Sequence, residues 1–202
     1  SGSTVGTASI TYTSGTCTST AILTVNATSP ITGGTSVCSG STLTLSNATT
    51  GGTWLSSNSA VATINSATGN AGGVSGYGTV VITYTLPTGC IMTTPFTVNP
   101  LPAVYTVTGG GAYCSGGSGL RIFLSGSAAF GFTYQLYIGG STPVGLPIPG
   151  TGVMLDFGLQ TTAGTYTVVA ANTATGCTNN MLGSQVISIN PLPVAYAVTV
   201  TG

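Results

Sequence analysis

The side chains able to do ionic, acid–base or nucleophilic chemistry are few: one Lys or Arg, one Asp or Glu, no His and five Cys in 202 residues. Arg121 and Asp156 are the two opposite charges. Their plain reading is a structural ion pair, partly buried, because an isolated buried charge is costly; an anchor between neighbouring subunits is the functional alternative. General acid–base catalysis draws on His, Glu, Asp, Lys, Tyr or Cys, and a Ser or Thr nucleophile needs a neighbouring base. The composition therefore points away from an enzyme, and no catalytic or cofactor-binding residue is assigned. A calcium site wants several carboxylates, and a zinc site wants His or paired Cys, so no metal ligand is assigned either. With Arg121 as the single cation, phosphate neutralisation fails and nucleic acid is excluded as a partner. An intramolecular isopeptide bond needs a Lys, and the chain has none.

Weaker candidates have structural alternatives. Trp54, Tyr105, Tyr113, Tyr134, Tyr137 and Tyr166 would make a stacking platform for glycans, but their strand positions favour core packing. Asn26-Ala27-Thr28 and Asn47-Ala48-Thr49 match the N-glycosylation sequon, which in a bacterial product is mostly a chance match. Gly109-Gly110-Gly111 has the look of a phosphate loop, yet no Lys follows it, and a turn between strands is the better reading.

The elements that must carry these residues are β-strands. Apolar and polar residues alternate in Ser41–Leu45, Thr79–Thr85, Phe132–Tyr137 and Gly164–Val169, which predicts half-buried strands with Thr on the wet face. Gly33-Gly34, Gly51-Gly52, Gly139-Gly140 and Pro149-Gly150 punctuate the runs as turns, and no segment shows a capped 3.6-residue period. Gly and Pro make up 42 residues, yet 42% hydrophobic content with 1% charge argues against disorder. No apolar run approaches the ~18–20 residues of a transmembrane helix.

The sequence also repeats itself. Gly6-Thr7-Ala8-Ser9-Ile10-Thr11-Tyr12-Thr13, Cys17 and Thr24-Val25-Asn26 match Gly78-Thr79-Val80-Val81-Ile82-Thr83-Tyr84-Thr85, Cys90 and Thr97-Val98-Asn99. A looser third copy is Gly164–Val169, Cys177 and Ile189-Asn190. Out of phase with these, Asn99-Pro100-Leu101-Pro102 recurs as Asn190-Pro191-Leu192-Pro193; closely spaced prolines favour a short, extended linker. The parse is a partial domain over 1–26, complete domains over 27–100 and 101–190, and the first strand of another over 191–202. Cys38 and Cys90 then fall early and late in one complete domain, and Cys114 and Cys177 do so in the next, which predicts a disulfide within each. Closing loops of about 50–65 residues would contribute about 4 kcal/mol per bond. Cys17 takes the late position of the partial domain, so its partner is expected outside the chain. Five reduced, buried thiols are the alternative.

Gly52-Thr53-Trp54-Leu55-Ser56-Ser57-Asn58, Val61-Ala62-Thr63-Ile64, Gly73-Val74-Ser75-Gly76 and Gly78–Thr83 occur in an order that resembles the bacterial immunoglobulin-like domains of group 2. The likeness covers most of 27–100; the cysteine pair and the missing charge depart from it. Ala163–Asn172 followed by Gly176-Cys177 looks like the closing strands of Ig-like repeats in long secreted bacterial surface proteins. The resemblance implies an all-β fold of tandem Ig-like β-sandwiches joined by short Pro-containing linkers, at the cell surface or outside the cell. It implies a spacer role, and neither a ligand nor a catalytic residue. The expected function is a structural segment of an extracellular filament, stalk or fibre, self-associating or continuing in a longer chain; a glycan- or surface-binding adhesin module is the alternative. Net charge near zero favours self-association.

Asp156 is the only acidic side chain, and stability depends on pH only through groups whose proton binding changes on folding. The melting temperature should move by a few degrees at most between pH 7 and pH 3. Calorimetry showing a fall of tens of degrees would contradict this.

Overall fold

The computed structural model describes residues 5–74 and 77–196, and every regular element among them is a β-strand. They fall into two units, Ser1–Pro100 and Leu101–Gly202.

In the first unit, β1 (Gly6–Ser14) and β2 (Cys17–Val25) form an antiparallel hairpin running from Gly6↔Val25 to Ser14↔Cys17. Seven short strands follow: β3 (Ile31–Thr32), β4 (Ser36–Cys38), β5 (Thr42–Thr44), β6 (Ser46–Asn47), β7 (Thr53–Ser56), β8 (Ala62–Ile64) and β9 (Asn70–Gly73). Two long strands close the unit, β10 (Gly78–Thr85) and β11 (Ile91–Asn99). One sheet has the order β4-β11-β10-β7, facing β5-β9-β8, with β3 and β6 paired separately. Alternation in β10 buries Val80, Ile82 and Tyr84 and leaves Thr79 and Val81 exposed, as a pleated strand with one dry face requires. Phe96 and Val98 of β11, Trp54, Leu45, Ala62 and Ala71 complete the core.

Tyr84 connects that core to its rim. Its ring lies 4.4 Å from Trp54, its hydroxyl donates to Thr49 O at 2.7 Å, and the same oxygen accepts Gly52 N–H at 2.8 Å. Gly69 turns beneath Trp54 at φ +71, where an added Cβ would sit 2.4 Å from Leu45 O. The β1–β2 register repeats that of β10–β11, since Gly6↔Val25 corresponds to Gly78↔Val98. The counterparts of the core residues Ile82, Tyr84 and Phe96 are Ile10, Tyr12 and Leu23, all exposed here.

The second unit holds β12 (Val107–Gly109), β13 (Gly111–Cys114), β14 (Leu120–Leu124), β15 (Phe132–Ile138), β16 (Thr142–Pro149), β17 (Leu155–Gln160), β18 (Gly164–Asn172), β19 (Thr178–Asn180) and β20 (Gln185–Asn190). Its sheets are β12-β14-β17 and β13-β20-β18-β15-β16, with β19 on the far end of β18. Tyr134, Tyr166, Ile122, Leu124, Leu136, Val168 and Ile187 are fully buried between them. In both units an early strand runs parallel to the last one, β4 beside β11 and β13 beside β20. Of the opening strand expected over 191–202, residues 191–196 form no strand, and 197–202 lie outside the described residues.

Replacing Tyr84 by Phe keeps the ring and removes both hydroxyl bonds, leaving the Gly52 N–H unsatisfied. The variant should lose about 1–3 kcal/mol, read as a lower urea midpoint with unchanged slope. Fluorescence of Trp54, the one tryptophan, follows this unit.

Candidate functional site

The aromatic residues do not assemble a platform. Trp54, Tyr134 and Tyr166 are 6%, 0% and 1% exposed, and both tyrosine hydroxyls are bonded to backbone groups. Tyr134 Oη accepts Ala128 N–H at 2.8 Å, while Tyr166 Oη donates to Thr162 O at 2.7 Å. Tyr105 packs edge-on against Tyr134 at 6.5 Å, and Tyr113 Oη donates to Thr161 O. Tyr137 lies half-buried beside a separate shallow cleft with Gln135 and Thr133. The packing role is the one these positions serve.

A cleft of about 440 Å³ opens in the first unit between Asn47, Thr50, Gly52, Thr68, Trp54 and Tyr84. Asn47 is engaged: its Nδ2 donates to Ser29 O at 2.6 Å and its Oδ1 accepts Thr49 N–H at 2.9 Å. The same bonds oppose use of the Asn47 sequon.

Arg121 on β14 and Asp156 on β17 meet across the sheet, Nη1 donating to Oδ2. Their strands shift register at this point, between Arg121 and Phe123. The side chains are 50% and 37% exposed, so the pair is only partly buried, and solvent screening leaves it about 0–1 kcal/mol. Asp156 Oδ1 also accepts Gly158 N–H at 2.8 Å, so the carboxylate is held locally. Gly109, Gly110 and Gly111 all have positive φ and form a turn between β12 and β13. Among the described residues no group of three His, Cys, Asp or Glu gathers to hold a metal, and no helix is long and apolar enough to cross a membrane.

The cysteines depart from expectation. Cys38 and Cys177 are disulfide-bonded, whereas Cys17, Cys90 and Cys114 are free thiols. The pairs Cys38–Cys90 and Cys114–Cys177 therefore do not form, and strand direction explains why. Cys38 lies opposite Asn99, the last residue of β11, while Cys90 precedes the first. Nine residues at about 3.3 Å each separate them by about 30 Å, against the roughly 7 Å limit between bridged Cα atoms. In the second unit Cys114 lies opposite Asn190, beyond the Gly164 end of β18. Cys177 O accepts Asn172 N–H at the other end of that strand. The sandwich over 27–100 and the second unit thus each carry one cysteine at each end, and Cys17 lies apart in the β1–β2 hairpin.

No protein-family model and no curated protein matches the chain. Solved structures show a partial likeness to it. The fibronectin(III)-like modules of CbhA from Clostridium thermocellum superpose with a TM-score of 0.39 at 12% identity, over 84% of this chain and 100% of that one. Sidekick-1 immunoglobulin domains 1–5 give 0.29 and 12%, over 93% and 46%. SGBP-B from the mixed-linkage glucan utilization locus of Bacteroides ovatus, solved with a mixed-linkage heptasaccharide, gives 0.26 and 14%, over 87% and 49%. The chain is an all-β protein with Ig-like and fibronectin-III-like structural neighbours.

Burial pushes the Tyr134 phenol above its ordinary value, opposed by its bond to Ala128, and burial does the same to Tyr166 with Tyr113 nearby. The folded state therefore keeps protons that the unfolded chain releases near pH 10. Their contribution is complete below about pH 10 and is lost as pH rises further. Melting temperature should fall from pH 9 to 11, and less steeply in a Tyr134→Phe, Tyr166→Phe variant; equal slopes would refute the assignment.

Proposed function

We propose that this chain is a structural segment of an extracellular filament, stalk or fibre, built from tandem Ig-like domains of the bacterial group 2 kind. One observation carries the reading: the chain enters each sandwich, over 27–100 and over 101–190, at one end and leaves it at the other. In the first unit Ser29 O and Pro30 O lie against Asn47, on the side where Tyr84 Oη reaches Thr49, and the exit at Asn99 lies at the Gly78 end of β10. In the second unit Asn179 Nδ2 donates to Pro102 O at 2.8 Å, fixing the incoming chain beside β19, whereas Asn190 leaves beyond the Gly164 end of β18. Domains entered and left at opposite poles add length when repeated. Disulfide-bonded cysteines support an oxidising compartment, and near-zero net charge removes the repulsion that keeps monomers apart. The reading assigns no catalysis.

A surface- or glycan-binding module is the second reading, favoured by the hydroxyl-lined cleft beside Trp54. Electron microscopy of native material should show filaments; single particles of one size would reject the first reading. On reducing denaturing gels, a band at the mass of these 202 residues marks a repeating subunit, and a far larger band marks a continuous array. Binding of the isolated protein to a glycan array supports the second reading.

A further inference from the structure

Trp54 is the one indole of the chain, and the fold treats its ring and its nitrogen differently. The side chain is 6% exposed, packed in the first unit's core with its ring 4.4 Å from that of Tyr84. The indole Nε1–H has no acceptor among the described residues. Every buried side-chain nitrogen or oxygen among them has a partner, so Nε1 is not sealed in the core and reaches solvent. A Cβ built on Gly69 would lie 3.0 Å from Nε1. That edge of the ring is therefore beside Ala67 and Thr68, on the wall of the 440 Å³ cleft that Trp54 also lines. An indole nitrogen only donates, and in so buried a side chain it ordinarily finds an acceptor.

The cleft is preformed. Asn47 holds Ser29 O and Thr49 N–H, Tyr84 Oη holds Thr49 O and Gly52 N–H, and Leu45 N–H donates to Gly69 O at 2.9 Å. Those groups are occupied within the walls. Left to face the space are Trp54 Nε1–H and the hydroxyls of Thr44, Thr50 and Thr68, three exposed residues. Thr68 Oγ1 receives only a long 3.4 Å bond from Asn70 N–H, and the hydroxyls of Thr44 and Thr50 bond no described residue. The two charged side chains, Arg121 and Asp156, both belong to the second unit. A phosphate, carboxylate or ammonium ligand would find no counter-charge here, so the cleft selects a neutral one. Its volume falls in the ~300–1,000 Å³ range of small-ligand sites. Three hydroxyls that donate and accept, beside one group that only donates, match a ligand edge carrying hydroxyls in close succession.

We propose that this cleft binds one hexopyranose unit of a neutral glycan, with Trp54 Nε1–H donating to a sugar oxygen and Thr44, Thr50 and Thr68 exchanging hydrogen bonds with neighbouring sugar hydroxyls. The indole meets the sugar by its edge, because its faces are packed in the core. The proposal rests on the glycan-binding reading and gives that reading its site and its ligand class. With neutral hydrogen bonds and no stacking, dissociation constants in the millimolar range are expected.

Nuclear magnetic resonance of the nitrogen-15-labelled 202-residue protein tests it, because one tryptophan gives one indole N–H peak. The probes are glucose, galactose, mannose, N-acetylglucosamine, maltose and cellobiose, each titrated to about 100 mM, well above a millimolar constant. At least one should move the indole peak saturably. A Thr50→Val, Thr68→Val variant keeps the side-chain shape and should bind that sugar roughly tenfold more weakly, with the rest of its spectrum unchanged. An indole peak that no sugar moves, or an unchanged affinity in the double variant, overturns the proposal. So does tighter binding of glucuronate than of glucose. Glycan-array binding that leaves the indole peak in place rejects this cleft and keeps the glycan-binding reading, whereas an array without bound glycan and an unmoved peak reject both.

Discussion

The antiparallel pairing of the two long strands near the end of each unit, β10 with β11 and β18 with β20, is the constraint from which the other arrangements follow. It fixes which side chains point inward, because the side-chain period along a strand is two. A slip of one residue would exchange Val80, Ile82 and Tyr84 for Thr79, Val81 and Thr83, placing hydroxyls in a core whose residues are almost all apolar. It also presents the free edge of the last strand to an early strand, which docks in parallel and brings a cysteine to the strand's C-terminal end. Core composition, sheet order and the polar separation of the cysteines all trace to this one ladder.

A chain with one cation and one carboxylate must hold its interior together without ions. Neutral hydrogen bonds do that here. Tyr84, Tyr134 and Tyr166 send their rings into the core and their hydroxyls to backbone groups at its rim. Ser127, 3% exposed, donates to Val153 O at 2.7 Å and accepts Thr151 N–H at 3.0 Å. Among the described residues no buried side-chain nitrogen or oxygen lacks a partner, so the desolvation penalty for an unpaired polar group is avoided throughout. The outer strand faces use the same chemistry, as where Thr79 and Thr97 hydroxyls meet at 2.9 Å across the last hairpin.

Much of this was legible in the sequence. Long alternating runs such as Thr79–Thr85 and Gly164–Val169 declare their strands, and the Gly6–Asn26 and Gly78–Asn99 repeats share a register as well as residue types. Two- and three-residue strands such as β3, β6 and β8 carry too few alternations to be read. Cysteine pairing failed for a topological reason: early and late positions in a domain do not say which pole each occupies. Had the early strand run antiparallel to β11, its C-terminal cysteine would have faced the Cys90 end. The ion pair was identified from Arg121 and Asp156 being the sole charges, but its exposure depended on β14 and β17 lying at the surface, which no local pattern reveals.

Pole-to-pole construction also limits what each domain can contribute. A domain whose two termini share one pole adds girth to a chain, whereas one whose termini are separated by the length of its last strand adds about 30 Å at 3.3 Å per residue. In such an arrangement the sandwich resists axial load through ladders such as β10–β11, whose hydrogen bonds lie across the strand direction and are loaded together. Outside the ladders the connection narrows to Pro100 and Leu101, between Asn99 at the end of β11 and Pro102, whose carbonyl accepts Asn179 Nδ2. Prolines stiffen that junction by fixing φ, but they do nothing to oppose twisting about the remaining bonds.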